Sequence, residues 1–144
     1  MAYNFARGIF IPKNPQKYVG TGKIIYRSSW ELSFCNFCDS NDAIQNWASE
    51  SIRIPYEDPL TRRKTFYVPD FLIKYVDKLG KIHVELIEIK PANQRILEKV
   101  GKSRVNQAMF VKNQAKWAQA RAYCSQQGIT FRIISENELF HTGK

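Results

Sequence analysis

Apolar side chains recur along this chain with two periods, and the points where one period gives way to the other outline its elements. Trp30, Phe34, Phe37 and Cys38 fall on one face at helical spacing, which predicts a helix of about three turns ending near Asn41-Asp42. Ser28, followed three residues later by Glu31, carries the capping-box pattern that starts such a helix. Trp47 and Ile52 then lead into a first strand, where Ile52, Ile54 and Tyr56 alternate with Arg53 and Pro55. The proline places that strand near an edge, because it cannot donate to a ladder. The polar run Glu57 to Arg63 reads as a hairpin connection into Thr65-Phe66-Tyr67-Val68, and Phe71 to Val76 continues the extended pattern beyond Pro69-Asp70. A turn at Asp77-Lys78-Leu79-Gly80-Lys81 gives way to Ile82, Val84, Leu86 and Ile89, completing a meander of three strands.

In that third strand Glu88 and Lys90 lie two apart, so a period of two sends both to the face shared by Leu86, with Ile87 and Ile89 pointing the other way. Pro91 to Arg95 breaks the strand. Lys99 to Gln126 is the longest helical region, with an earlier start near Gln94 and a joint at Gly101 also compatible with the pattern. Gly128 closes it as a C-terminal cap, Ile129 to Ile134 forms a fourth strand, and Glu136 to Phe140 adds a last helical turn. A long helix between two strands implies a crossover, and hence an α/β fold with a mixed four-stranded sheet flanked by helices. Residues 1–22, with Pro12, Pro15, Gly20 and Gly22 among lysines, read as a basic N-terminal arm ahead of a single domain over 23–144. The aromatics Tyr3, Phe5 and Phe10 favour a segment laid over that domain rather than a loose one.

Composition narrows the partners. A chain of 144 residues with 44% hydrophobic positions supports one domain with an ordinary core. Its formal net charge of +9 points to a polyanion as partner. Three cysteines are too few for a disulfide framework, there is no apolar run of membrane-spanning length, and the first residues lack the apolar block of a secretion signal, so a soluble intracellular protein with no membrane partner is expected. Gly20-Thr21-Gly22-Lys23 is too short for a phosphate loop. Cys35 and Cys38 have zinc-ligand spacing but no second close pair, so they read as helix-face packing residues. Neither His83 nor His141 sits in a context suited to nucleophilic catalysis.

The chemistry concentrates at Asp70, Glu88 and Lys90. If the second and third strands are antiparallel neighbours, Asp70 reaches the Glu88 and Lys90 face near the strand ends. Two carboxylates can hold a hard divalent cation through oxygen, and a nearby ammonium can steady a charging phosphate. Acids and a lysine between apolar flanks are poor choices for stability alone. In so basic a chain the combination reads as a magnesium-dependent enzyme acting on nucleic acid.

Glu31 on an early helix, Val68-Pro69-Asp70 entering a strand, and Glu88-Ile89-Lys90 ending the next resemble the restriction-endonuclease-like nuclease superfamily, whose signature is proline-aspartate, a spacer, then an acid, any residue and lysine. The resemblance covers roughly residues 24–135. Within it, Tyr26 to Glu31, Ile54-Pro55-Tyr56 and Tyr67 to Phe71 are similar to the amino-terminal nuclease domain of the transposon end-cleaving subunit, and more so to the small head-completion nucleases of tailed bacteriophages. The resemblance implies a restriction-endonuclease-like core and an endonuclease that hydrolyses phosphodiester bonds of DNA. It gives metal-binding roles to Glu31, Asp70, Glu88 and the Ile89 backbone carbonyl, and makes Lys90 the catalytic lysine. It further implies Mg2+, with Mn2+ able to substitute. It places the protein in the host cytoplasm during phage assembly or with the virion, and names phage head or neck proteins as partners beside DNA.

Lys112 and Lys116, four apart on the long helix, and Lys99, Lys102 and Arg104 at its start are candidate phosphate contacts, as are Arg62 and Arg63 at the hairpin tip. No recognition-helix or finger pattern for reading base edges is visible. Two other readings compete: a catalytically silent structural head-completion protein on the same fold, and a non-enzymatic DNA-binding module. For Glu31 the competing role is a helix cap alone.

Overall fold

The computed structural model describes residues 7–92 and 103–141, with side chains described as far as residue 138. Strands β1 (Gly8–Phe10) and β2 (Ile24–Tyr26) pair antiparallel. Helix α1 (Ser29–Ser40) follows, then β3 (Ile44–Ser49), the hairpin β4 (Ile54–Glu57) and β5 (Lys64–Tyr67), β6 (Phe71–Val76), β7 (Ile82–Ile89), helix α2 (Arg104–Gln127), β8 (Thr130–Ile134) and helix α3 (Glu136–His141).

The main sheet has the order β3-β6-β7-β8, antiparallel except for the parallel pair β7 and β8 that α2 connects. It is therefore the expected α/β arrangement with a mixed four-stranded sheet and flanking helices. Its membership differs from expectation. The strand read at Ile52–Tyr56 and the first part of the second one form a separate two-stranded hairpin, while the edge of the main sheet is β3, which the pattern did not mark. The reason is a bulge between Ile44 and Asn46, which breaks the period-two alternation by which a strand is recognised. Between the two sheets the chain turns at Val68-Pro69-Asp70. Pro69, buried and without an N–H, suits that exit from one ladder into another.

Each face of the main sheet has its own core. Phe71, Ile73, Ile87 and Ile89 pack with Trp30, Phe34, Cys35 and Cys38 of α1. Leu86, on the opposite face, packs with Trp117, Ala120 and Cys124 of α2 and with Ile54, Tyr56 and Tyr67 of the hairpin. This is the division of β7 that its alternation predicts, and it places Glu88 on the α2 side.

The helix ends follow local chemistry. Ser28 Oγ accepts from Glu31 N at 3.1 Å to open α1, and Asn41 caps its other end. Ser103 caps the start of α2, and Gly128, at φ +70, closes it in the left-handed conformation that favours glycine. The expected helix start near Gln94, the joint at Gly101, and Lys99 and Lys102 lie outside the described residues.

From Arg7 onward, the segment read as a basic arm belongs to the folded domain. Phe10 is buried beside Trp47, and Tyr18 stacks edge-on against the same indole at 4.8 Å. Buried Asp39 on α1 accepts from the backbone N–H groups of Lys13 and Asn14, both at 2.9 Å, and Lys17 Nζ donates to the Asp39 and Asn41 carbonyls. The aromatics favoured a segment laid over the domain, and these long-range bonds to one acid on α1 are what hold it there.

Candidate active site

The register that joins β6 to β7 builds the site. Phe71 pairs with Ile87, so the next step of the same antiparallel ladder sets Asp70 opposite Glu88. Asp70 sits where β6 begins, one residue past the turn at Pro69, and its Oδ2 accepts from Ile89 N at 2.8 Å. On the β3 side, Glu50 N donates to the Asp70 carbonyl at 3.0 Å. The aspartate is thus fixed from both neighbouring strands.

Glu88 is buried and held through both of its oxygens. Oε1 accepts from the Tyr67 hydroxyl at 2.8 Å, and Oε2 lies 3.7 Å from Lys90 Nζ. Tyr67 comes from the hairpin rather than the main sheet, so the bond ties the two sheets together at the site. Lys116 of α2 stands on the same side, its Nζ 5.6 Å from the centre of the Tyr67 ring. Glu31 approaches from the first turn of α1, where its Oε1 accepts from Arg27 N at 3.1 Å. Arg27 in turn pairs with Glu50 at 3.1 Å.

The electrostatics describe a cluster of buried carboxyl groups whose charged forms are disfavoured. Burial, then the charges of Glu88 and Glu31, push the Asp70 carboxyl well above the usual carboxylate range, against the pull of the Ile89 N–H and Lys90. Burial also raises Glu88, although Lys90, the Tyr67 hydroxyl and Lys116 act the other way. Glu31 is raised as well, again chiefly by burial. Burial and the nearby Lys90 hold the Lys116 ammonium below its usual range. Three carboxyl groups sharing one region with two ammonium groups is a costly arrangement for folding.

Among the described residues, no three acidic, histidine or cysteine side chains close into a ready-made metal cage. Asp70 and Glu88 face each other across β6 and β7, Glu31 comes from α1, and the backbone carbonyl of Ile89 stands between Glu88 and Lys90 in the chain. Such an all-oxygen set of few ligands suits an ion that keeps several waters and shares its coordination with a substrate phosphate, as magnesium does.

Of the candidate residues, the fold brings Glu31, Asp70, Glu88, Lys90 and Lys116 into one electrostatic neighbourhood. Lys112 lies near but pairs with Asp58 at 3.3 Å, so part of its charge is already answered. Arg62, at the hairpin tip with φ +62, pairs with Glu57 at 3.7 Å. Arg104 opens α2, ~18 Å along the helix axis from Lys116. Tyr67, Arg27 and Glu50 carried no role in the sequence reading. A tyrosine three residues before the proposed aspartate was the only local signal, and nothing in a strand period shows which carboxylate it will meet.

Residues 41–136 match the family described as TnsA-like endonuclease N terminal. The chain is also 35% identical, over 149 aligned residues, to the head completion nuclease of Enterobacteria phage T4, covering 96% of this chain and 95% of that protein. The family match includes Asp70, Glu88, Lys90 and Lys116, whereas Glu31 falls before it.

Proposed function

This chain belongs to the family of TnsA-like N-terminal endonuclease domains, and from that premise we propose that it is a divalent-metal-dependent deoxyribonuclease that processes DNA during phage head completion. The observation that carries the reading is the juxtaposition of Asp70, Glu88 and Lys90 at adjoining ends of β6 and β7, where burial makes the charged carboxylates costly without a cation beside them.

Asp70, Glu88 and the Ile89 carbonyl would hold the ion, with Glu31 reaching it from α1. A bound magnesium or manganese ion supplies Lewis-acid polarisation of the phosphoryl oxygen and a more acidic attacking water. The chain's own groups do the rest. Tyr67 fixes the Glu88 carboxylate, so its oxygens are pre-set rather than searching rotamers. Lys90, held beside Glu88 by charge, presents its ammonium where negative charge grows on the phosphorus oxygens in the transition state. Lys116 adds a second cation on the helix side, suited to positioning the phosphodiester backbone. Arg63, Arg104 and Lys112 add further candidate backbone contacts, with Arg62 at the hairpin tip. The partners in this reading are DNA and the head or neck proteins of an assembling phage in the host cytoplasm.

The test is to incubate the purified protein with supercoiled, linear and branched DNA in magnesium, manganese or chelator, beside Asp70→Ala and Lys90→Ala. Cutting that needs the metal and disappears in both variants is the expected result. No cutting on any substrate, or cutting that survives both changes, would assign the chain a structural or binding role instead.

A further inference from the structure

Glu50 follows β3 at φ +49, one of two non-glycine residues with positive φ among the described residues. The other, Arg62, lies in the turn between β4 and β5, where the reversal of the chain accounts for it. Glycine would adopt the Glu50 conformation without strain. What a glutamate gains there is one ion pair: its Oε2 accepts from Arg27 Nε at 3.2 Å and its Oε1 from Arg27 Nη2 at 3.1 Å. The Arg27 side chain is 45% exposed and that of Glu50 34%. A pair so open to water returns less than the left-handed backbone costs. Stability alone therefore does not account for a glutamate at this position.

The strand register shows what the pair stands beside. Ser49 pairs with Phe71 and Phe71 with Ile87, so the next step sets Glu50, Asp70 and Glu88 in one row across the ends of β3, β6 and β7. Arg27 comes immediately before the Ser28 cap of α1, where its own N–H donates to Glu31. Its guanidinium feels the charges of Glu31 and Asp70 as well as that of Glu50. Lys116 meets Glu88 from α2, on the opposite face of the sheet. The site thus has a cation at each face. Of the five N–H donors of a guanidinium, Glu50 takes two, and the rest have no partner among the described residues. A planar fork held along one edge by a carboxylate is kept from swinging away, and its free donors match the oxygens of a phosphate.

We propose that Arg27 contacts the DNA phosphate at the cleavage point from the α1 side, and that Glu50 is the positioning residue that holds its guanidinium there. The proposal rests on the nuclease reading of the site at Asp70 and Glu88.

The experiment is single-turnover cleavage at saturating DNA and magnesium by the full chain, for the natural protein, Arg27→Lys and Glu50→Gly, on supercoiled, linear and branched DNA, with urea unfolding of each protein. Glu50→Gly should unfold at a urea concentration no lower than the natural protein, because glycine accepts φ +49. It should nevertheless cut at least about fivefold more slowly, since the guanidinium has lost its anchor. Arg27→Lys keeps the charge and loses the fork, so its rate should also fall at least about fivefold, with the magnesium concentration for half-maximal cutting moved by less than about threefold. A smaller loss of rate in either variant overturns the proposal. So does a loss that appears in both variants only together with a lower urea midpoint, the mark of a merely structural pair. A larger magnesium shift in Arg27→Lys overturns it too, by assigning Arg27 to the ion instead of the phosphate. If Glu50→Gly does not fold, Arg27→Lys decides by the same limits. Absence of cutting by the natural protein on every DNA sinks the nuclease reading and this assignment with it, whereas cutting by both variants at the natural rate sinks Arg27 alone.

Discussion

Replacing Asp70 by asparagine should make the metal-free protein more stable while removing its cleavage activity. Across an antiparallel pair, opposed Cα atoms stand about 4.5–5.5 Å apart. Carboxylates ~5 Å apart repel by ~3 kcal/mol at an effective dielectric of about 20. Lys90 and the Ile89 N–H return part of that, so a net gain of roughly 1–3 kcal/mol is expected for the neutral side chain. Asparagine has the same shape, and its carbonyl oxygen can keep the 2.8 Å bond from Ile89 N.

The pH dependence supplies the sharper test. Because burial and neighbouring acids raise the Asp70 carboxyl in the folded state, the folded chain binds more protons than the unfolded one. The stability Asp70 contributes is fully present below the unfolded value of about 3.9 and is lost as pH rises through the raised folded value, by at most ~1.4 kcal/mol per pH unit. The advantage of Asp70→Asn should therefore be near zero at about pH 4 and largest in mildly alkaline solution. Urea unfolding followed by tryptophan fluorescence, in chelator across this pH range, measures it. Magnesium should then stabilise the natural protein and not the variant, since only a site that binds the ion when folded gains from it. A variant less stable than the natural protein in alkaline chelator, or a difference that does not change with pH, would refute the account of Asp70 as an uncompensated buried charge.

Four further outcomes are expected. Tyr67→Phe removes a buried hydroxyl that donates to Glu88 at 2.8 Å. It should cost about 1.5–3 kcal/mol at neutral pH and raise the magnesium concentration giving half-maximal cutting, which a metal titration checks. Lys90→Met keeps the aliphatic stem but not the charge, so single-turnover cleavage should fall by about two orders of magnitude or more; retention of a tenth of the rate would take Lys90 out of the chemistry. Glu31→Gln preserves an acceptor for Arg27 N and should leave stability within ~0.5 kcal/mol, whereas Glu31→Ala should cost about 1 kcal/mol. If Glu31 serves the reaction, both lose activity in assays at saturating DNA; if it only caps α1, Glu31→Gln cuts normally. Burial pushes the Cys35 thiol up to about 12 and raises Cys38 in the same direction, so a thiol reagent at neutral pH should label neither until the chain is unfolded in urea.

Much of the fold was legible along the chain because side-chain direction in a helix or strand follows from the backbone's own period. Ser28 and Glu31 marked the start of α1 through a bond spanning three residues, and Gly128 marked the end of α2 through a local backbone conformation. The alternation of β7 sorted Leu86 and Glu88 from Ile87 and Ile89 correctly between the two cores. The acids at 70 and 88 and the lysine at 90 followed from the same periods, together with one antiparallel pairing.

The sequence by itself therefore determined which residues were candidates for the site and which face of β7 carries Glu88, since the division of β7 depends on spacings of a few residues. Only the tertiary structure decided that the hairpin leaves the main sheet, that β3 takes its place at the edge, that residues from Arg7 onward are tied down by Asp39, and that Tyr67 and Lys116 meet at Glu88. Those outcomes turn on interactions between residues well separated along the chain, 21 positions for Tyr67 and Glu88 and 28 for Lys116 and Glu88. A local period carries no information about such distances; they are set by how the two faces of one sheet are filled and by the bulge in β3.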